Sequence, residues 1–151
     1  MQLELADADA TDALGHRLAP VMLQGVVYLH GELGAGKTAL ARAILRGRGY
    51  AGTVRSPTYT LVEPYEIGDS TVYHLDLYRL SDPEELEWLG LRDMLAGEQT
   101  LLLVEWPERG EGVLPPADIR ITLQHRDTGR TVNIEAETTR GHQMMGLLES
   151  I

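Results

Sequence analysis

Gly31-Glu32-Leu33-Gly34-Ala35-Gly36-Lys37-Thr38 (GELGAGKT) sits between a β-rich apolar run, Val26–His30, and a helix-forming stretch, Thr38–Arg46. Strand, glycine-rich loop and helix in immediate succession make a phosphate-binding P-loop, and that motif sets the fold class. The glycines allow positive φ and a close approach of backbone to phosphate oxygens. Successive amide N–H groups then form an anion nest at a helix N-terminus, where the macrodipole also favours negative charge. Lys37 is expected to reach the β- and γ-phosphates, and the Thr38 hydroxyl to ligate magnesium, so the expected ligands are a nucleoside triphosphate and Mg2+. Composition points the same way. Of the 13 basic residues, Lys37 alone is a lysine, and a compact ammonium on a flexible stem differs from the planar guanidinium used everywhere else.

On the N-terminal side, Asp9 or a neighbour can cap a helix over Thr11–Ala19, with Pro20 beyond its end. On the other side, Gly47 and Gly49 end the P-loop helix. Thr60–Glu66 and Thr71–Leu77 read as strands joined across Gly68-Asp69-Ser70. Ser81 with Glu84 predicts a capping box for a helix through about Leu89. Thr100–Val104 is a continuous apolar run ending at Glu105, the pattern of a strand buried on both faces. Ile119–Leu123 and Thr131–Ala136 alternate around Asp127-Thr128-Gly129 as a second hairpin, and a short helix is expected from about His142. The expectation is therefore α/β: a single P-loop NTPase domain over residues 1–151, with a mixed, mainly parallel central sheet, antiparallel hairpins and flanking helices.

P-loop proteins also need a carboxylate at the tip of a neighbouring strand to hold the metal. Glu105, at the end of the LLLV run, is the preferred magnesium ligand, directly or through water. Asp76, in YHLDLYRL, could orient the attacking water or support the magnesium shell, or be an ordinary surface carboxylate of the hairpin. The hydroxyl-rich loop Ser56-Pro57-Thr58-Tyr59-Thr60 lies where P-loop proteins carry nucleotide switches, and Thr60 is taken as nucleotide-binding. Trp106 is expected to fill core rather than to pack on the site.

Other classes are disfavoured. Cysteine is absent and the five histidines are scattered, so a zinc site is not expected. Net charge is −10, and the best basic cluster, Arg42, Arg46 and Arg48, reads as a solvated helix face, so direct grip on a nucleic-acid backbone is not expected. The acidic start MQLELADADA lacks the base of a targeting peptide, and no apolar run reaches membrane-span length; a cytoplasmic protein is expected, with no membrane partner.

GELGAGKT, SPTYTLVEPY, HLDLYRL and LLLVEWPE, in this order and spacing, resemble the bacterial TsaE (YjeE) family, the small P-loop ATPases of tRNA threonylcarbamoyladenosine biosynthesis. The resemblance covers nearly the whole chain, including the first helix and the Gly129-Arg130 hairpin. It implies ATP rather than GTP, with Gly34, Ala35, Gly36, Lys37 and Thr38 on the phosphates and Thr38 and Glu105 on magnesium. It further implies Thr11 near the adenine, Arg130 lining the nucleotide site, and Lys37, Asp76 and Glu105 required for hydrolysis. The implied partner is the heterodimer of the threonylcarbamoyl transferase and its inactive paralogue, which ATP binding or hydrolysis would reset or regulate; tRNA would be met only through that complex. Read from the residues alone, a small-molecule or nucleoside kinase and a nucleotide-gated binding module with negligible turnover remain open.

Overall fold

The computed structural model describes residues 1–150. Its strands are β1 (Gln2–Leu5), β2 (Gly25–His30), β3 (Val62–Ile67), β4 (Ser70–Asp76), β5 (Thr100–Glu105), β6 (Ile119–Arg126) and β7 (Gly129–Ala136). Its helices are α1 (Ala8–Leu18), α2 (Lys37–Gly47), α3 (Glu85–Trp88), α4 (Leu91–Ala96) and α5 (Thr139–Glu149), with a 3-10 turn at Pro107–Gly110. The strands form one sheet in the order β1-β7-β6-β2-β5-β4-β3. The central four, β6, β2, β5 and β4, are parallel, and the outer pairings β1–β7, β7–β6 and β4–β3 are antiparallel. A mixed sheet with a parallel centre and hairpins at its edges is thus what the sequence pattern predicts.

Alternation along the strands sorts the core into two layers. Val27, Leu29, Leu101, Leu103, Ile121 and Val132 face α1, α2 and α5. Val26, Leu75, Leu102 and Val104 face the other way, against Leu86, Leu91 and Met94 of the short helices. The LLLV run is buried on both faces. The same parity carries functional residues: Glu105 follows Leu101 and Leu103, and His74 and Asp76 follow Val72, so all three point toward α2.

Local departures from the sequence reading have local causes. The expected Ser81–Glu84 capping box is not formed; Asp82 accepts from the Glu84 amide at 2.9 Å, and the helix runs only from Glu85 to Trp88 before Gly90 turns the chain with φ 90°. A separate helix, α4, follows. The first helix starts earlier than expected, capped by Asp7 accepting from the Ala10 amide at 2.9 Å. The tail helix also starts earlier, at Thr139, with Thr138 as its cap. Strand β1, unforeseen in the acidic N-terminus, adds to the free edge of β7 and buries only Leu5.

Candidate functional site

The P-loop leaves the C-terminal end of β2 and turns into α2 through Gly36, whose φ of 104° caps the helix. Gly34 has φ 79°, and a side chain added at either residue would meet nothing within 4 Å. These two glycines therefore serve backbone conformation and leave the loop's outer side open to a ligand. Arg130 of β7 braces the loop, its Nε donating to the Ala35 carbonyl at 3.1 Å and its Nη2 to the Gly34 carbonyl at 3.3 Å.

Two clefts flank the loop. One, about 270 Å3, is lined by Gly34, Lys37, Thr38, Thr58, Asp76, Glu105 and Trp106 among others. The other, about 160 Å3, is lined by Asp7, Thr11, Ala35, Gly36, Ala39 and Arg130 among others. Two larger hollows, about 520 Å3 beside His125 and about 370 Å3 beside His30, do not include the N-terminus of α2, which both clefts beside the loop do.

In the first cleft the chemistry converges. Thr38 Oγ1 donates to the Glu105 carboxylate, 2.9 Å from each oxygen. Asp76 lies beside Glu105 in the β4–β5 register and accepts from the Tyr78 amide at 3.1 Å. Burial pushes the Asp76 carboxyl above its usual range, with the Glu105 charge adding to the shift and the Tyr78 hydrogen bond opposing it. Lys37 is buried, donates to the Gly31 carbonyl and sits 3.5 Å above the centroid of the Trp106 ring. Burial pulls its ammonium below the usual lysine range, while Glu105, Asp76 and Glu108 hold it up. Lysine, hydroxyl and two carboxylates thus meet at one helix N-terminus. Thr38 and Glu105 supply hard oxygen donors, suited to a Mg2+ ion that keeps several waters and takes few protein ligands. Among the described residues no cluster of three or more His, Asp or Glu could hold a metal by itself.

Several expectations change. Asp76 is 6% exposed, which removes the surface-carboxylate alternative. Thr60 does not line either cleft: it is exposed and donates to Glu63 Oε1 at 3.0 Å. The Pro57–Thr60 turn, closed by the Leu61 amide on the Pro57 carbonyl at 2.8 Å, rotates Thr58 inward and Thr60 outward. Trp106 does both: half-buried, it packs against the core layer of Val26, Leu102 and Val104, and with φ 56° its ring also lies over Lys37 and against Tyr78 at 5.0 Å between centroids. Thr11 and Arg130 come together, but on the opposite side of the loop from Asp76 and Glu105. Sequence reasoning missed His74, 1% exposed, whose Nε2 lies 2.6 Å from Glu105 Oε2. The signal was its place two residues before Asp76, on the same face of a strand.

The family model "Threonylcarbamoyl adenosine biosynthesis protein TsaE" matches residues 5–132. The chain belongs to the TsaE family. A TsaE from Haemophilus influenzae is 49% identical over 120 residues, 80% of this chain and 75% of the relative. A TsaE from Synechocystis is 44% identical over 113 residues, 72% of this chain and 71% of the relative. Both relatives are named tRNA threonylcarbamoyladenosine biosynthesis proteins. The crystal structure of Bacillus subtilis YdiB superposes with a TM-score of 0.83 at 27% identity, covering 99% of this chain and 94% of that one. The match begins in β1 and ends within β7, at residue 132, so it includes every residue of the two P-loop clefts named above. No helix of this TsaE-family chain, among the described residues, is long and apolar enough to cross a membrane.

Proposed function

We propose that this chain binds ATP with Mg2+, hydrolyses it, and uses that cycle in tRNA threonylcarbamoyladenosine biosynthesis to reset or regulate the heterodimer of the threonylcarbamoyl transferase and its inactive paralogue. The observation that carries the proposal is the convergence of Lys37, Thr38, Asp76 and Glu105 at the N-terminus of α2. Family membership supplies the pathway; the triphosphate rests on the motif, and ATP and the partner rest on the resemblance to the family.

In this reading the amides of Gly34 to Thr38 bind the phosphates, and the Thr11–Arg130 cleft takes the adenine side. Lys37 exchanges the Gly31 carbonyl and the Trp106 ring for the β- and γ-phosphates. Thr38 and Glu105 would hold Mg2+, which when bound neutralises charge on the β- and γ-oxygens. Asp76 orients a water for in-line attack on the γ-phosphorus; the bond to the β–γ bridging oxygen breaks, ADP leaves, and the water's proton passes to Asp76 or solvent. Burial that raises the Asp76 carboxyl brings it nearer the range of a proton acceptor at neutral pH. Thr58, beside Ser56 at 2.7 Å between hydroxyls, is placed to sense the γ-phosphate. With a net charge of −10 the chain reaches tRNA only through its partner.

Phosphate release is measured for the wild type and Lys37→Ala, alone and with the purified transferase pair, alongside multiple-turnover modification of tRNA. The wild type releases phosphate without any small-molecule acceptor and supports repeated turnover, and Lys37→Ala does neither. Phosphate transfer that needs an added acceptor would make the chain a kinase, and sustained modification without the protein would remove the resetting role.

A further inference from the structure

Glu105 is held from two sides. On one side is Thr38, whose hydroxyl lies 2.9 Å from both carboxylate oxygens and so can turn away to a new partner without leaving the site. On the other side is His74, buried between β5 and the helix layer, with Nε2 2.6 Å from Oε2. The other ring nitrogen of His74, Nδ1, is buried and has no hydrogen-bond partner. A proton on Nδ1 would be a buried donor with no acceptor, which is unfavourable. The ring therefore carries its proton on Nε2 and donates it to Glu105.

The two contacts differ in what they can do. Thr38 is the second residue of α2, next to the loop that a nucleotide would move. His74 is fixed in the middle of the β4–β5 pairing, opposite Leu103 in register. Its aromatic plane has no hydrogen-bonding neighbour other than Glu105 among the described residues. A strand-anchored donor on one carboxylate oxygen constrains rotation of the whole group; Oε2 is shared between His74 and Thr38, whereas Oε1 meets Thr38 alone.

We propose that His74 is a positioning residue: by donating from Nε2 to Glu105 Oε2 it fixes the carboxylate so that Oε1 is presented to the magnesium of the bound nucleotide. This rests on the reading of Glu105 as a magnesium ligand. Hydrogen bonds of this kind orient a ligand and set its basicity, and their loss weakens metal affinity about 10–100-fold.

The test separates magnesium from nucleotide. Binding of a fluorescent ATP analogue is titrated against Mg2+, and again in EDTA, for the wild type, His74→Leu and His74→Gln. His74→Leu keeps volume and removes the donor, and is expected to raise the Mg2+ concentration needed for tight binding about 10–100-fold. Its affinity in EDTA stays within twofold of wild type, since the loop amides are untouched. His74→Gln, which keeps an N–H near the Nε2 position, restores most of the Mg2+ response. Wild-type Mg2+ dependence in a folded His74→Leu overturns the proposal, as does a loss in EDTA equal to that in Mg2+, which would make His74 a packing residue only. The wild type gives an independent readout that no unfolded variant can obscure. Imidazole nitrogen NMR shifts are expected to show His74 protonated on Nε2 with Nδ1 bare, and a proton on Nδ1 overturns the proposal. A wild type whose nucleotide binding ignores Mg2+ overturns the functional reading and this inference together; a Mg2+-dependent wild type with an indifferent variant overturns this inference alone.

Discussion

Replacing Gly15 by alanine tests how the helix layer sets the P-loop's position. Gly15 lies in α1 with ordinary helical φ, so a new methyl group introduces no backbone strain, only a collision. That Cβ would stand 2.2 Å from Ala43 Cβ, 2.8 Å from Ala43 C and 2.9 Å from Ile44 N. Carbon–carbon contacts settle at about 3.5–4.0 Å, so α1 and α2 must part by roughly 1.5 Å at this point. Two of the three colliding atoms are backbone and cannot swing aside. Overpacking of this kind costs about 1–3 kcal/mol, with the backbone contacts arguing for the upper half. The gain in helix propensity from removing a glycine offsets about 0.5–1 kcal/mol. The net is a loss of about 2 kcal/mol, read as a fall in Tm of about 4–8 °C in a domain of this size. Because α2 carries the loop and α1 carries Thr11, the same displacement widens the Thr11–Ala35 cleft, and nucleotide affinity should fall with stability. Gly146→Ala in α5 is the internal control: nothing lies within 4 Å of its added Cβ, and it should gain about 0.5–1 kcal/mol. Thermal unfolding and a nucleotide titration of the two variants decide the matter. A Gly15→Ala protein that is as stable as Gly146→Ala would refute the close-packing argument.

Two further outcomes follow from buried charge. Asp76→Asn should abolish hydrolysis yet raise resistance to denaturant at neutral pH. The folded-state pKa of Asp76 lies above its unfolded value, so its ionisation subtracts stability as pH rises above about 3.8, and a neutral amide removes that loss. A destabilised Asp76→Asn would contradict this. His30, before the P-loop, is held below the usual histidine range by burial and by Arg120, whose Nη1 lies 2.7 Å from its Nε2, while Glu108 opposes the shift. Its folded pKa is below the unfolded value, so the unfolded chain takes up protons first and stability falls as pH drops through about 6.5. Unfolding midpoints at pH 7.5, 6.5 and 5.5 should show that slope in the wild type and a flatter one in His30→Gln; equal slopes would assign the pH dependence elsewhere.

The candidate site was legible where its determinants are consecutive in sequence. Glycine conformation, amide direction and helix onset are properties of neighbouring residues, so GELGAGKT specifies a glycine-rich turn into a helix N-terminus, the form that the proposed phosphate nest takes, before any tertiary contact forms. Glu105 was legible for a related reason: a run apolar at every position must be buried on both faces, and the first charge after it marks the strand's tip. Asp76 was ambiguous because alternation in YHLDLYRL shows that one face differs from the other, not which face is covered. Only the β4–β5 register, placing Asp76 opposite Glu105, decides that.

What the sequence by itself determined is the P-loop, the two carboxylate candidates and the mixed sheet with a parallel centre, each a consequence of local conformation or periodic burial. Only the tertiary structure decided that Thr58 rather than Thr60 lines the cleft, because the Pro57 turn sets which hydroxyl points inward. The same holds for Trp106, placed on Lys37 by a positive φ, and for His74, placed on Glu105 by strand pairing across 31 residues of chain. Strand β1 likewise exists only because β7 offers it an edge. A hydrogen bond between distant residues depends on register and layer, and periodicity fixes a side chain's face without naming what it meets there.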